Sequence, residues 1–132
     1  MQMTAQKYGY STTVNYSFKE ALERTKKALQ EQGFGVQAEI NISSALREKL
    51  GIEVPQQIIL GACNPQLAHK ALQAEPEIGL LLPCNVTVQQ HDQHVKIAVI
   101  DAARLMDFVG NPELRPIAEE AKRRLQAVLE RI

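Results

Sequence analysis

Hydrophobic and polar positions alternate from Tyr8 to Tyr16, with Tyr10, Thr12, Val14 and Tyr16 on one side and Gly9, Ser11, Thr13 and Asn15 on the other. A period of two predicts a half-buried strand. The period then changes to that of a helix. Ser17 followed three residues later by Glu20 is a capping-box pair, and Phe18, Ala21, Leu22, Thr25, Ala28 and Leu29 recur at helical spacing until Gly33. Alternation resumes over 34–42, which puts Phe34, Val36, Ala38, Ile40 and Ile42 inward and Gly35, Gln37, Glu39 and Asn41 outward.

Ser43 or Ser44 caps a short predicted helix through Leu46 and Leu50, and Gly51 ends it. A third strand is expected over 56–62. Asn64-Pro65 is a strong helix start, an N-cap before a proline in the first helical position, for a helix burying Leu67, Ala68, Ala71 and Leu72. Residues 79–90 and 94–100 read as the two arms of a hairpin turning at His91-Asp92-Gln93. Asp101 caps a short helix with Leu105, Met106 and Val109. Gly110-Asn111-Pro112 separates it from a last helix whose stripe of Leu114, Ile117, Ala118, Ala121, Leu125, Val128 and Ile132 should lie along the sheet.

The resulting order is β-α-β-α-β-α-β-β-α-α, an α+β fold with a mixed or mostly antiparallel five-stranded sheet covered by helices. Residues 1–132 read as one domain, with 1–7 as a flexible extension. The polar sides of the first two strands predict that one sheet face is left open to water, a ligand or a second subunit.

Composition narrows the partners more than it names them. Fifteen basic residues balance fifteen acidic ones, so no broad positive field exists to attract nucleic acid. Hydrophobic residues make up 45% and charged residues 23% of the chain, which suits a packed core and not a disordered tail. The run Lys122-Arg123-Arg124 reads as a solvated helix face. No stretch approaches the ~20 apolar residues of a membrane span, and the start lacks a secretory apolar segment, so the expected location is the cytoplasm. In that compartment Cys63 and Cys84 are expected as free thiols.

The cysteines sit in mirrored settings, Cys63-Asn64-Pro65 and Pro83-Cys84-Asn85. Cys63 precedes a helix N-terminus, where the dipole favours a thiolate. Cys84 shares a strand face with Leu80, Leu82, Val86 and Val88 and reads as core. The opposite face collects Ser11, Thr13, Gln37, Glu39, Cys63, Asn85, Thr87 and Lys96, with Glu39 as the one acid and Lys96 as its expected partner. His69, His91 and His94 lack the spacing of a zinc helix, and no phosphate loop, nucleophile elbow or catalytic triad spacing occurs.

The strings Gly33-Phe34-Gly35-Val36, Glu39-Ile40, 59–65, 79–86 and Val109-Gly110-Asn111-Pro112 resemble domain of unknown function family 302, from about Tyr8 to the final helix. The resemblance implies a two-layer α+β fold grouped with TATA-binding-protein-like folds, a homodimer, and no established activity. Shared architecture carries no DNA binding with it.

The first functional reading is a small binding protein that engages a small-molecule ligand, or a soft metal such as zinc or copper(I), near Glu39, Cys63, Asn64, Cys84 and Asn85. Cys63 and Cys84 are its metal-ligand candidates. The second is a dimeric subunit of an assembly with structural cysteines. The third is a thiol enzyme or redox carrier with Cys63 as the reactive sulfur and Cys84 as its resolving partner.

Overall fold

Alternation along the chain becomes a sheet with one dry face. The computed structural model describes residues 3–132, and within them six strands form a single sheet: β1 (Thr4–Ala5), β2 (Gly9–Val14), β3 (Gly35–Asn41), β4 (Gln57–Cys63), β5 (Cys84–His91) and β6 (His94–Ile100). Their spatial order is β1-β2-β6-β5-β4-β3, and every neighbouring pair is antiparallel. The sheet is therefore wholly antiparallel, where a mixed one was allowed for. The sixth strand comes from the segment expected as a flexible extension: Thr4 and Ala5 pair with Ser11 and Tyr10. Residues 1 and 2 of that segment lie outside the described residues.

Helices α1 (Phe18–Glu31) and α5 (Arg115–Glu130) cover one face. Ser17 caps α1 by accepting from the Glu20 N–H at 3.1 Å, and Ala21, Thr25, Ala28 and Leu29 form its buried stripe. On α5 the stripe is Ala118, Ala121, Leu125, Val128 and Leu129. These residues close against Ile58, Leu60, Val86, Val88, Val95, Ile97 and Val99 from strands β4, β5 and β6, and the result is the main core. Val95, Ile97 and Val99 alternate along β6, so the period of two read from the sequence is what places them on one face.

A second, smaller core lies beyond the end of the sheet. It joins Ala71 of α3 (Pro65–Ala74), Ile78 of the 3-10 turn Pro76–Leu81, Met106 of α4 (Ala102–Asp107), Leu114 and Ala118. That 3-10 turn takes up the start of the strand expected over 79–90, and β5 begins only at Cys84. Leu72, expected inward, is largely exposed on α3.

The other sheet face carries no helix of this core. Helix α2 (Ile42–Leu50) follows β3 directly, and its cap is Asn41, whose Oδ1 accepts from Ser44 N–H at 3.0 Å, instead of either serine. Ser43 turns inward and accepts from Gln57 N–H at 3.2 Å, which ties α2 to the start of β4.

One irregularity reassigns a predicted site residue. The β3–β4 register shifts between Val36 and Ala38, so Gln37 is an extra residue and everything after it changes face. Val36 opposes Ala62 on the helix side, as alternation predicts. Beyond the bulge Glu39 opposes Leu60 on that same side, and Ala38 and Ile40 turn to the open face.

Candidate functional site

Between the two cores the packing is incomplete. A crevice of about 50 Å³ runs between the ends of β4 and β5 and helices α3, α4 and α5. Six alanines line it, Ala62, Ala68, Ala71, Ala102, Ala118 and Ala121, together with Cys63, Asn64 and Cys84. Leu67, Leu82, Pro83, Met106, Leu114 and Ile117 complete the lining, and because interiors normally close to crystal-like density, the methyl-only side chains on β4, α3, α4 and α5 leave space that longer ones would fill. The space is apolar, with thiols and one amide as its polar groups. A water molecule needs two to four polar partners to be held, so the crevice suits an apolar group better than water.

The mirrored cysteine motifs meet here because of strand register. Ala62 pairs with Cys84, which brings Cys63 beside it at the end of the β4–β5 ladder. Both cysteines are free thiols, Cys84 buried and Cys63 half-buried. Cys84 lies on the helix face as its alternation predicts. Burial first, and the neighbouring Cys63 second, push its thiol up to about 11 from an ordinary 9.0. Cys84 is thus protonated at neutral pH, which weakens its case as a ready resolving nucleophile.

That displacement has a consequence for stability. The folded chain favours the protonated thiol, so the associated stability is fully present below the ordinary value of 9.0 and is lost as pH rises toward about 11. The expected loss is of order 2 kcal/mol. Urea denaturation across this range should show the decline in the parent chain and a flatter profile in Cys84→Ala; identical profiles would contradict it.

Asn64 does two things at the mouth. Only 7% exposed, it caps α3 by accepting from Leu67 N–H at 3.1 Å. Its Nδ2 also lies against Gly33: a Cβ there would sit 2.9 Å from that nitrogen and 3.0 Å from Arg124 Nη1. Arg124 in turn donates to Gln32 O at 3.2 Å and to Glu120 at 2.7 Å, so the end of α1, the start of α3 and the middle of α5 are fastened around one glycine. On the opposite sheet face the Pro83 ring lies over Gly61, where a Cβ would meet Pro83 Cγ at 2.8 Å.

Of the five residues singled out from sequence, Cys63, Asn64 and Cys84 share the crevice, and Glu39 and Asn85 do not. Asn85 opposes Gly61 and is exposed on the open face. Glu39, carried to the helix side by the bulge, pairs with Lys26 of α1 at 2.5 Å, and not with Lys96, which sits on the open face between Thr13 and Gln89. His91 and His94 face each other across the hairpin turn and are exposed; His94 Nδ1 lies 2.7 Å from Asn15 Oδ1. Among the described residues no group of three or more His, Cys, Asp and Glu is placed to hold a metal ion, so a soft metal here would have two sulfurs from this chain.

The basic run is less solvated than its pattern suggests. Arg123 and Arg124 share Glu120, whose carboxyl they hold below the usual range. Lys122 turns back toward Tyr10 and the buried Asp101, which together raise its own value. The residues that sequence patterning did not mark as a site are the alanines and Met106. Their signal is small residues at helical spacing, Ala68 with Ala71 and Ala118 with Ala121, which also fits ordinary core packing.

Comparison with known proteins adds family and fold. The family model described as "Domain of unknown function DUF302" matches residues 10–132. A crystal structure of an uncharacterized conserved DUF302 protein from Bacillus stearothermophilus is similar at 31% identity and a TM-score of 0.89, over 96% of this chain and 98% of that one. No curated protein matches the sequence. Among the described residues no helix is long and apolar enough to cross a membrane.

Proposed function

The chain belongs to the DUF302 family, and from that premise we propose that it is a binding protein that takes a small, mainly apolar ligand into the crevice at Cys63, Asn64 and Cys84. The observation that carries this reading is the convergence of both mirrored cysteine motifs on an alanine-lined gap between two separately packed cores. Ligand sites are typically apolar pockets with a few placed polar groups, and two thiols and an amide supply those here. The half-buried Cys63 is the sulfur within reach of an electrophilic or thiophilic group on the ligand.

An NMR titration with n-hexanol tests the reading. Amide shifts should gather at Cys63, Ala71, Cys84 and Met106 in the parent chain. They should vanish in Ala68→Leu, where the half-buried wall residue of α3 is enlarged to fill the gap. Shifts spread over the open sheet face, or unaffected by Ala68→Leu, would contradict it.

A second reading rests on a different surface. The open face presents Ile40 and Ile59 along with Ala38 and Ala98, with Thr87 between Ile59 and Ala98, a largely apolar row suited to a second copy of this chain. Sedimentation across concentration checks it, with a dimer as the supporting result.

A further inference from the structure

A wider cleft of about 250 Å³ lies on the outer side of α4, and it shares two wall residues with the inner crevice, Met106 and Ala118. The inner crevice alone has room for only a few heavy atoms of a ligand, and joined to the outer cleft it reaches the ~300 Å³ at which sites for larger ligands begin. Ala118 contributes only a methyl to the partition, so the Met106 side chain is what divides them. Methionine has an unbranched chain with three rotatable bonds and adapts to irregular gaps. Here it sits toward the end of a six-residue helix, in the part that packs into the small second core, while Ala102 at the start of that helix packs into the main one.

We infer that the inner crevice and the outer cleft are two halves of one channel, parted by Met106, for a slender aliphatic ligand with a cationic head group. This deepens the ligand-binding reading above and rests on it. The inner half is narrow and apolar, which fits an unbranched alkyl chain.

The charge of the outer half selects the head. Asp107, Arg115 and Glu119 line the cleft. Arg115 is already engaged by Asp107 at 3.5 Å, and Asn111 spends its side chain on Ala74 O, Glu75 and the Glu113 N–H. The carboxylate of Glu119 has no cationic partner within the lining, although it feels the charge of Lys122 outside it, and it leaves the lining with one net negative charge. Lys122, one turn further along α5, is held by Asp101 at 3.9 Å and does not line the cleft.

Calorimetric titration of the full chain at neutral pH and low salt with n-hexylamine, n-hexanol and n-hexanoate separates the possibilities. Hexylamine is expected to bind most tightly, about tenfold over hexanoate. Glu119→Gln should remove most of that preference. Met106→Ile, with its stiff β-branched chain, should weaken all three, and Ala118→Val provides the same block from the other wall if the first variant does not fold. Hexanol binding with no preference for the amine, or a preference that survives Glu119→Gln, overturns this inference and leaves the crevice reading intact. Absence of binding by all three overturns both.

Discussion

Truncating Leu60 to alanine is expected to cost about 2–5 kcal/mol of stability. Leu60 is fully buried in the middle of β4 and faces the helices in line with Val86 and Val99. Removing its branched end deletes apolar surface and leaves a void that a rigid sheet on one side and two long helices on the other cannot collapse to fill. Urea denaturation should show the midpoint falling with the slope unchanged. Leu80→Ala provides the contrast: that side chain is 83% exposed, and its loss should register within about 0.5 kcal/mol. Comparable losses at the two positions would contradict the assignment of the core.

The second large effect is expected at Gly33. Its φ of +83° lies in the left-handed region, and unlike Gly51 at +68°, which faces open space, it has no room for a methyl group. Alanine there must accept backbone strain and also displace Asn64 and Arg124, for a combined cost of roughly 2–3 kcal/mol. Gly51→Ala should cost only the strain. Because Asn64 both caps α3 and lines the crevice, Gly33→Ala should also loosen the mouth and speed native-state alkylation of Cys63, a change Gly51→Ala should not produce. Equal losses in the two variants, with Cys63 alkylation unchanged, would remove Gly33 from the account of the site.

Periodicity made the main fold legible. The alternation of β2 and β6 and the helical stripes of α1 and α5 are dictated by burial on one face, and burial is what a sequence pattern records. The failures have equally local causes. An inserted residue such as Gln37 leaves no mark on composition, yet it reverses every later side chain of β3, so alternation alone puts Glu39 on the open face and the fold puts it on the helix side. Thr4–Ala5 is too short for a period to be measured. The apolar run at 79–82 satisfies a strand pattern as well as the 3-10 turn that the chain adopts, because short apolar stretches do not distinguish the two.

The geometry of the candidate site was half legible. Cys63, Asn64 and Cys84 stood out by their mirrored neighbours, and antiparallel register between β4 and β5 brings those neighbours together. The crevice itself was not visible, since it arises where two cores fail to merge, and nothing in a run of alanines states whether a neighbouring side chain fills the space beside it. Lys122 and Arg124 were hidden in the same way: a basic run predicts solvent, and only the packing of α5 against Tyr10, Asp101 and Gln32 turns them inward.

Xenon is the most direct probe of that crevice, being apolar, monatomic and without hydrogen-bonding demands. Crystals of this chain pressurised with xenon should show an atom enclosed by Cys84, Ala71 and Ala118, and the same treatment of Ala68→Leu should show none. A crevice that stays empty under xenon, or xenon bound only at the open sheet face, would mean that the gap between the two cores is closed in the folded protein and that the ligand site lies elsewhere.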